Sequence, residues 1–199
     1  MDLVLFGIQG SGKGTQAKRL AAEFGYDIFE AGGELRKIAA SSSELGKKIR
    51  FYIDNGNLVP HEIIMQVVKE AILARPKSQK ILFDGIPRDE NQMTGFNKIM
   101  KDAGRDFRCI HILLDPAEGI RRILGRAKME GRADDADTAI IERRMKTFVE
   151  KTIPVIEKFK REKKVLDIDG MRTVDEVYME MKKSALDTAP FLRGHHSKI

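Results

Sequence analysis

The sequence predicts an α/β domain, a five-stranded parallel sheet flanked by helices, and three observations predict it. Short apolar runs bounded by breakers recur along the chain, helical periodicity fills the intervals, and a glycine-rich turn separates the first run from the first helical stretch. Strands alternating with helices call for a parallel sheet, because each crossover helix must lie over one of its faces.

Residues 3–6 form the first run, and residues 26–29 a weaker second. Residues 81–83, 109–114 and 165–168 complete the set of five. Each is too short for a buried helix and reads as a buried strand. Helical patterns cover residues 16–24, 61–73, 91–100, 117–124, 140–159 (broken near Pro154) and 174–181. Residues 30–59 supply no strand and read as a helical excursion. Ser41-Ser42-Ser43-Glu44 resembles a helix start, and Asn55-Gly56-Asn57 a stop. Residues 127–136 read as a short polar connection between two helices.

The bulk numbers bound the function without choosing it. A chain of 199 residues suffices for one domain with a substantial core. No apolar run approaches the length of a membrane span, and the first residues lack the basic start and cleavage site of a secretory signal. The lone Cys109 has no partner for an internal disulfide and fits a reducing, cytoplasmic setting. A formal charge of +6 points to anionic partners, either nucleic acid or nucleotide polyphosphates. The basic residues are interspersed with acids, so composition leaves that choice open.

Three motifs carry chemistry. Gly7-Ile8-Gln9-Gly10-Ser11-Gly12-Lys13-Gly14-Thr15 leaves a strand and opens a helix, the context a phosphate loop requires. Glycines let several backbone N–H groups turn inward, the helix terminus adds partial positive charge, and Lys13 reaches the β- and γ-phosphates. Gly14 stands where a hydroxyl ordinarily ligates magnesium, and Thr15 follows instead. The second motif, Asp84-Gly85-Ile86-Pro87-Arg88, follows the strand at 81–83. The carboxyl ends of parallel strands share one edge, so Asp84 can hold magnesium-bound water there, and Arg88 can fork onto a phosphate. The third is a set of arginines, with Arg122 and Arg126 one helical turn apart, then Arg132 and Arg143. Phosphoryl transfer proceeds by positioning and cationic stabilisation, without a side-chain nucleophile.

In this order and spacing, the motifs resemble the adenylate kinase and UMP/CMP kinase family, from Met1 to about Met181. The family's loop ending appears as Gly12-Lys13-Gly14-Thr15-Gln16, its Asp-Gly-Phe-Pro-Arg signature as Asp84-Gly85-Ile86-Pro87-Arg88, and its lid signature as Gly131-Arg132-Ala133-Asp134-Asp135. The resemblance implies a P-loop NTPase-type kinase domain. Its core would be residues 1–29, 60–126 and 137–199, its acceptor-binding flap 30–59, and its short lid 127–136.

The resemblance also implies roles. Gly10, Ser11, Gly12, Lys13, Gly14 and Thr15 would cradle the ATP phosphates, with Arg122 on adenine and Arg126 on phosphate. Arg36 and Arg88 would hold the acceptor phosphate, and Arg132 and Arg143 would complete the site on closure. Ala31, Gly32, Ile53, Asn57, Leu58, Val59, Gly85 and Gln92 fall where the AMP base and ribose are held. It implies magnesium with ATP, no zinc in a lid without cysteines, no nucleic-acid or membrane partner, and a monomer.

Two departures stand out. Ala31 matches UMP/CMP kinases while Gln92 matches adenylate kinases, and Gln92 carries more weight because its amide can pair with an adenine edge. Gly33 replaces an aspartate that helps organise the magnesium shell in the family. The sequence therefore predicts ATP + AMP giving two ADP. A pyrimidine nucleotide kinase and a nucleotide sensor with little turnover are the alternatives. The tail at 191–199, with His195 and His196 adjacent, lies beyond the resemblance.

Overall fold

A computed structural model describes residues 1–130 and 137–186, with backbone alone at 126–130 and 184–186. Five parallel strands, β1 (Asp2–Phe6), β2 (Asp27–Glu30), β3 (Ile81–Asp84), β4 (Phe107–Leu113) and β5 (Val165–Asp169), lie in the order β2-β3-β1-β4-β5. The helices are α1 (Lys13–Phe24), α2 (Ala31–Ala39), α3 (Glu44–Asp54), α4 (His61–Leu73), α5 (Glu90–Asp102), α6 (Pro116–Glu130), α7 (Thr138–Thr147), α8 (Ile153–Arg161) and α9 (Val174–Leu186). The predicted fold class is the observed one.

Alternation along the strands divides the core in two. Leu3, Leu5, Leu82, Ile110 and Ile168 face α1 and α9, where they meet Leu20, Val177 and Met181. Val4, Phe6, Phe29, Phe83 and Cys109 face the other way, onto α4, α5 and α8. There Phe83, Phe96, Phe107 and Phe159 form an edge-to-face series with centroids 5.0, 5.1 and 5.5 Å apart. Such pairs contribute beyond their area because the positive edge of one ring meets the negative face of the next. The sheet's amino edge is closed by a buried ion pair. Arg105 donates from Nε to Asp2 Oδ2 at 2.7 Å and from Nη2 to Oδ1 at 3.0 Å, and the Ile81 N–H donates to Oδ1 at 2.9 Å.

Local chemistry explains the element boundaries. Ser43 caps α3 by accepting from the Gly46 N–H at 3.0 Å, and Asn55 with Gly56 (φ +67°) ends that helix, as the sequence predicts. The excursion at 30–59 is therefore the helix pair α2 and α3, with Glu30 belonging to β2.

Two expectations are corrected. The connection at 127–136 begins later, because α6 runs to Glu130 through Ala127, Lys128 and Met129, all good helix formers. The break near Pro154 is a π-helical turn, Phe148–Thr152, between α7 and α8. Proline can donate no backbone hydrogen bond, and Pro154 sits in the first turn of α8, where that donor is dispensable. The predicted lid residues 131–136 and the tail at 191–199 lie outside the described residues.

Candidate active site

The carboxyl ends of β1, β2 and β3 open into a cleft of about 450 Å³. At one end, β1 leads through the glycine-rich turn into α1. Gly10 has φ +81°, and a Cβ there would lie 2.6 Å from the Gly119 carbonyl oxygen, so only glycine fits between the loop and α6. Gly12 (φ +91°) precedes the first turn of α1 without a side-chain cap, leaving early N–H groups turned toward the cleft. Lys13 Nζ donates to the Gly7 and Ile8 carbonyls at 2.8 and 3.0 Å, which folds the ammonium over the loop. Gly10, Gly12, Lys13, Gly14 and Thr15 line the cleft, whereas Ser11 is buried behind them, its hydroxyl without a hydrogen-bond partner among the described residues.

On the other side, β3 ends at Asp84 and turns through Gly85 (φ +83°) and the cis Ile86–Pro87 peptide to Arg88. A Cβ on Gly85 would lie 2.8 Å from Arg88 Nη2, so glycine is what lets the guanidinium fold back; its Nε donates to the Gly85 carbonyl at 2.8 Å. Asp89 caps α5 by accepting from the Gln92 N–H at 2.8 Å. The Gln92 side chain reaches back to accept from the Arg88 N–H at 2.8 Å, and the Thr152 hydroxyl donates to the Arg88 carbonyl at 2.8 Å. Arg88 is thus braced by three elements. The buried Gln92 amide is oriented with its oxygen spent and its N–H₂ left for the cleft.

Helices α2 and α3 and the segment after α3 bring Ala31, Gly32, Arg36, Ile53, Asn57, Leu58 and Val59 to the lining with Gly85, Arg88 and Gln92, and Arg122 joins them from α6. Arg122 is aimed by Glu118, whose carboxylate accepts from its Nε at 2.6 Å. Hydrogen bonds from Arg121 and Arg122 lower the Glu118 carboxyl to about 2. The backbone of Arg126 lies one turn further along α6, and Arg132 is outside the described residues.

Arg143 Nη1 donates to the Asn55 carbonyl, and it is the neighbouring Arg144 that lines the cleft. Asp137 caps α7, and the resulting phase buries Ile141; Arg144, three positions on, comes to the cleft side. Asp137 and the apolar Ile140-Ile141 were the sequence signal that could have separated the two arginines.

Charge is unevenly distributed. Among the described residues, the lining holds six basic side chains (Lys13, Lys18, Arg36, Arg88, Arg122, Arg144) and two acidic ones (Glu30, Asp84). Arg88 is exposed by surface area but walled by the cleft. That enclosure pushes its guanidinium down from its ordinary value, and Arg144 and Arg36 add to the effect against Asp84. It stays protonated. Burial pushes the Asp84 carboxyl up, opposed by Lys13 and Arg88 and reinforced by Glu30. This surplus of cations suits a polyphosphate. The two carboxylates beside the loop are hard oxygen donors that fit a hydrated magnesium ion, which retains several waters.

A glycine-rich loop opening the first helix of a parallel sheet, with arginines facing it across a nucleotide-sized cleft, defines a P-loop phosphotransferase. The family model described as adenylate kinase matches residues 5–164. The adenylate kinase of Maricaulis maris is 35% identical over 178 residues, covering 89% of this chain and 94% of that protein. Those of Thermus thermophilus and Bacteroides thetaiotaomicron are 33% and 32% identical, each over at least 90% of this chain. The chain belongs to the adenylate kinase family and is a nucleoside monophosphate kinase.

Proposed function

We propose that the protein transfers the γ-phosphoryl group of MgATP directly to AMP, giving two ADP, and that Gln92 reads the acceptor base. The supporting observation is the fixed amide. With Oε1 held by the Arg88 N–H, Gln92 offers donors to a base. Adenine presents a ring nitrogen with a free lone pair at its pairing edge, whereas uracil and guanine present an N–H there and would leave the amide facing another donor. A mismatched donor in a buried site costs far more than a missing contact. Cytosine shares the lone pair, so CMP is the strongest competitor.

In this reading the loop N–H groups and Lys13 hold the donor phosphates, and Arg122 faces the ATP adenine, with Arg126 following it on α6. Arg36 and Arg88 hold the acceptor phosphate, while Arg144 approaches from α7 as the arginine that completes the site, a role the family resemblance also gives to Arg132. Asp84 would orient the water shell of a magnesium ion bound with the donor phosphates, an ion that would offset their charge. Crowding Arg36, Arg88 and Arg144 is unfavourable until a phosphoryl group enters between them and Lys13, so the site favours the charge that develops during transfer. Closure of residues 30–59 over the cleft would exclude water, which otherwise takes the phosphoryl group. A cytoplasmic monomer without nucleic-acid or membrane partners fits this role, and among the described residues no helix is long and apolar enough to cross a membrane.

The test is ADP formation from MgATP with AMP, CMP, UMP or GMP as acceptor, AMP being preferred. Nucleotide binding with negligible turnover at high magnesium would favour the sensor instead.

A further inference from the structure

By the family resemblance Gly33 stands where an aspartate is usual, and the structure places another carboxylate beside it. A Cβ built on Gly33 would lie 3.1 Å from Glu30 Oε2 and 3.5 Å from its Cδ. The Glu30 carboxyl group therefore sits where a side chain at 33 would begin. An aspartate at 33 would bring a second negative charge against it and require the Glu30 carboxylate to shift.

Glu30 is well placed to act in this way. It ends β2 directly opposite Asp84 on β3, in the register Glu30↔Asp84, so the two side chains leave the same face of the sheet. The preceding pair, Phe29 and Phe83, packs on the opposite face with ring centroids 5.8 Å apart. Alternation therefore turns Glu30 and Asp84 toward the side occupied by α1 and the phosphate loop. Both line the cleft. One Glu30 oxygen is committed, since Oε1 accepts from Arg36 Nη2 at 2.9 Å. The other, Oε2, lies over Gly33.

We propose that Glu30 is a positioning residue for magnesium, supplying with Asp84 the second carboxylate of the ion's water shell in place of the missing acid at 33. The inference rests on the MgATP reading above. Through its other oxygen, Glu30 also ties that shell to Arg36, which faces the acceptor phosphate. Losing Glu30 therefore weakens metal retention without removing a group that touches the reacting atoms.

The test is Mn²⁺ binding, followed by electron paramagnetic resonance, in protein saturated with AMP and a β,γ-imido ATP analogue. In Glu30→Gln, one amide oxygen can still accept from Arg36, but an N–H₂ replaces the oxygen over Gly33 and cannot accept from water. Mn²⁺ affinity should fall about tenfold, as is usual when a partner behind a metal shell is lost. Affinity for the analogue measured in EDTA should stay within about twofold, which also verifies folding. The double variant Glu30→Gln, Gly33→Asp should regain most of the lost affinity. Unchanged Mn²⁺ binding in Glu30→Gln would overturn the proposal. So would an equal loss of metal-free nucleotide affinity, which would make Glu30 a support for Arg36 alone. If the parent complex holds Mn²⁺ no more tightly than the free analogue does, the magnesium reading itself fails.

Discussion

The two edges of the sheet hold charge in opposite ways. At the amino edge, Asp2 and Arg105 are almost fully buried, with side-chain exposures of 4% and 5%, and the carboxylate also accepts from the Ile81 N–H. At the carboxyl edge, Arg36, Arg88 and Arg144 gather near one another in an open cleft, and their mutual repulsion is felt at Arg88. The difference teaches what each edge is for. A closed, satisfied ion pair fixes strand positions and offers nothing to a ligand, because removing one partner leaves a buried charge uncompensated. An open cluster of like charges contributes little to stability and gains most when a polyanion arrives. Stability and activity should therefore separate cleanly between the two edges.

Substitutions at each edge can break this contrast. The largest effect belongs to Lys13→Met, which should lower kcat about a thousandfold while leaving the thermal midpoint within a few degrees. Comparable turnover in the variant would remove the lysine from the chemistry. Next is Asp2→Ala at the opposite edge, which should cost about 3 kcal/mol of unfolding free energy in urea and leave kcat of the folded fraction unchanged. A variant that lost turnover without stability would erase the division of labour. Arg144→Ala should lower kcat about a hundredfold, and Arg143→Ala by less than about threefold. A reversed order in steady-state assays would restore Arg143 to the site. The smallest effect is at Asp89→Ala, where loss of the α5 cap should cost about 1 kcal/mol by denaturant titration. It should also raise the KM for the acceptor modestly, since the cap orients Gln92.

These contrasts also mark what the sequence could reveal. The phosphate loop was legible because its function resides in backbone conformation, and glycine spacing encodes backbone conformation directly. Asp84, Arg88 and Gln92 were legible for a related reason. One strand end, one turn and one cap place all three within nine residues, so short-range rules suffice. Arg143 was a different matter. Two adjacent arginines follow the lid signature, and neighbouring helical residues point about 100° apart, so helix phase alone decides which reaches the cleft. That phase depends on Asp137 and on the burial of Ile141, a tertiary fact.

Glu30 was missed because its significance lies in register. It matters only once β2 is laid beside β3 and its carboxyl is found over Gly33. The polar pattern at residues 127–130 likewise concealed a helix, since intrinsic propensity and continuation from the preceding turn outweighed polarity there.

The acceptor reading of the carboxyl edge depends on a nucleotide with a lone pair on its pairing edge, held by Gln92 and the arginines. The most direct measurement is coupled ADP production from MgATP with AMP, CMP, UMP and GMP supplied separately at equal concentration. The account predicts the highest kcat/KM for AMP, lower turnover with CMP, and little with UMP or GMP. Preference for UMP or GMP, or ATP binding without transfer to any of the four, would contradict it.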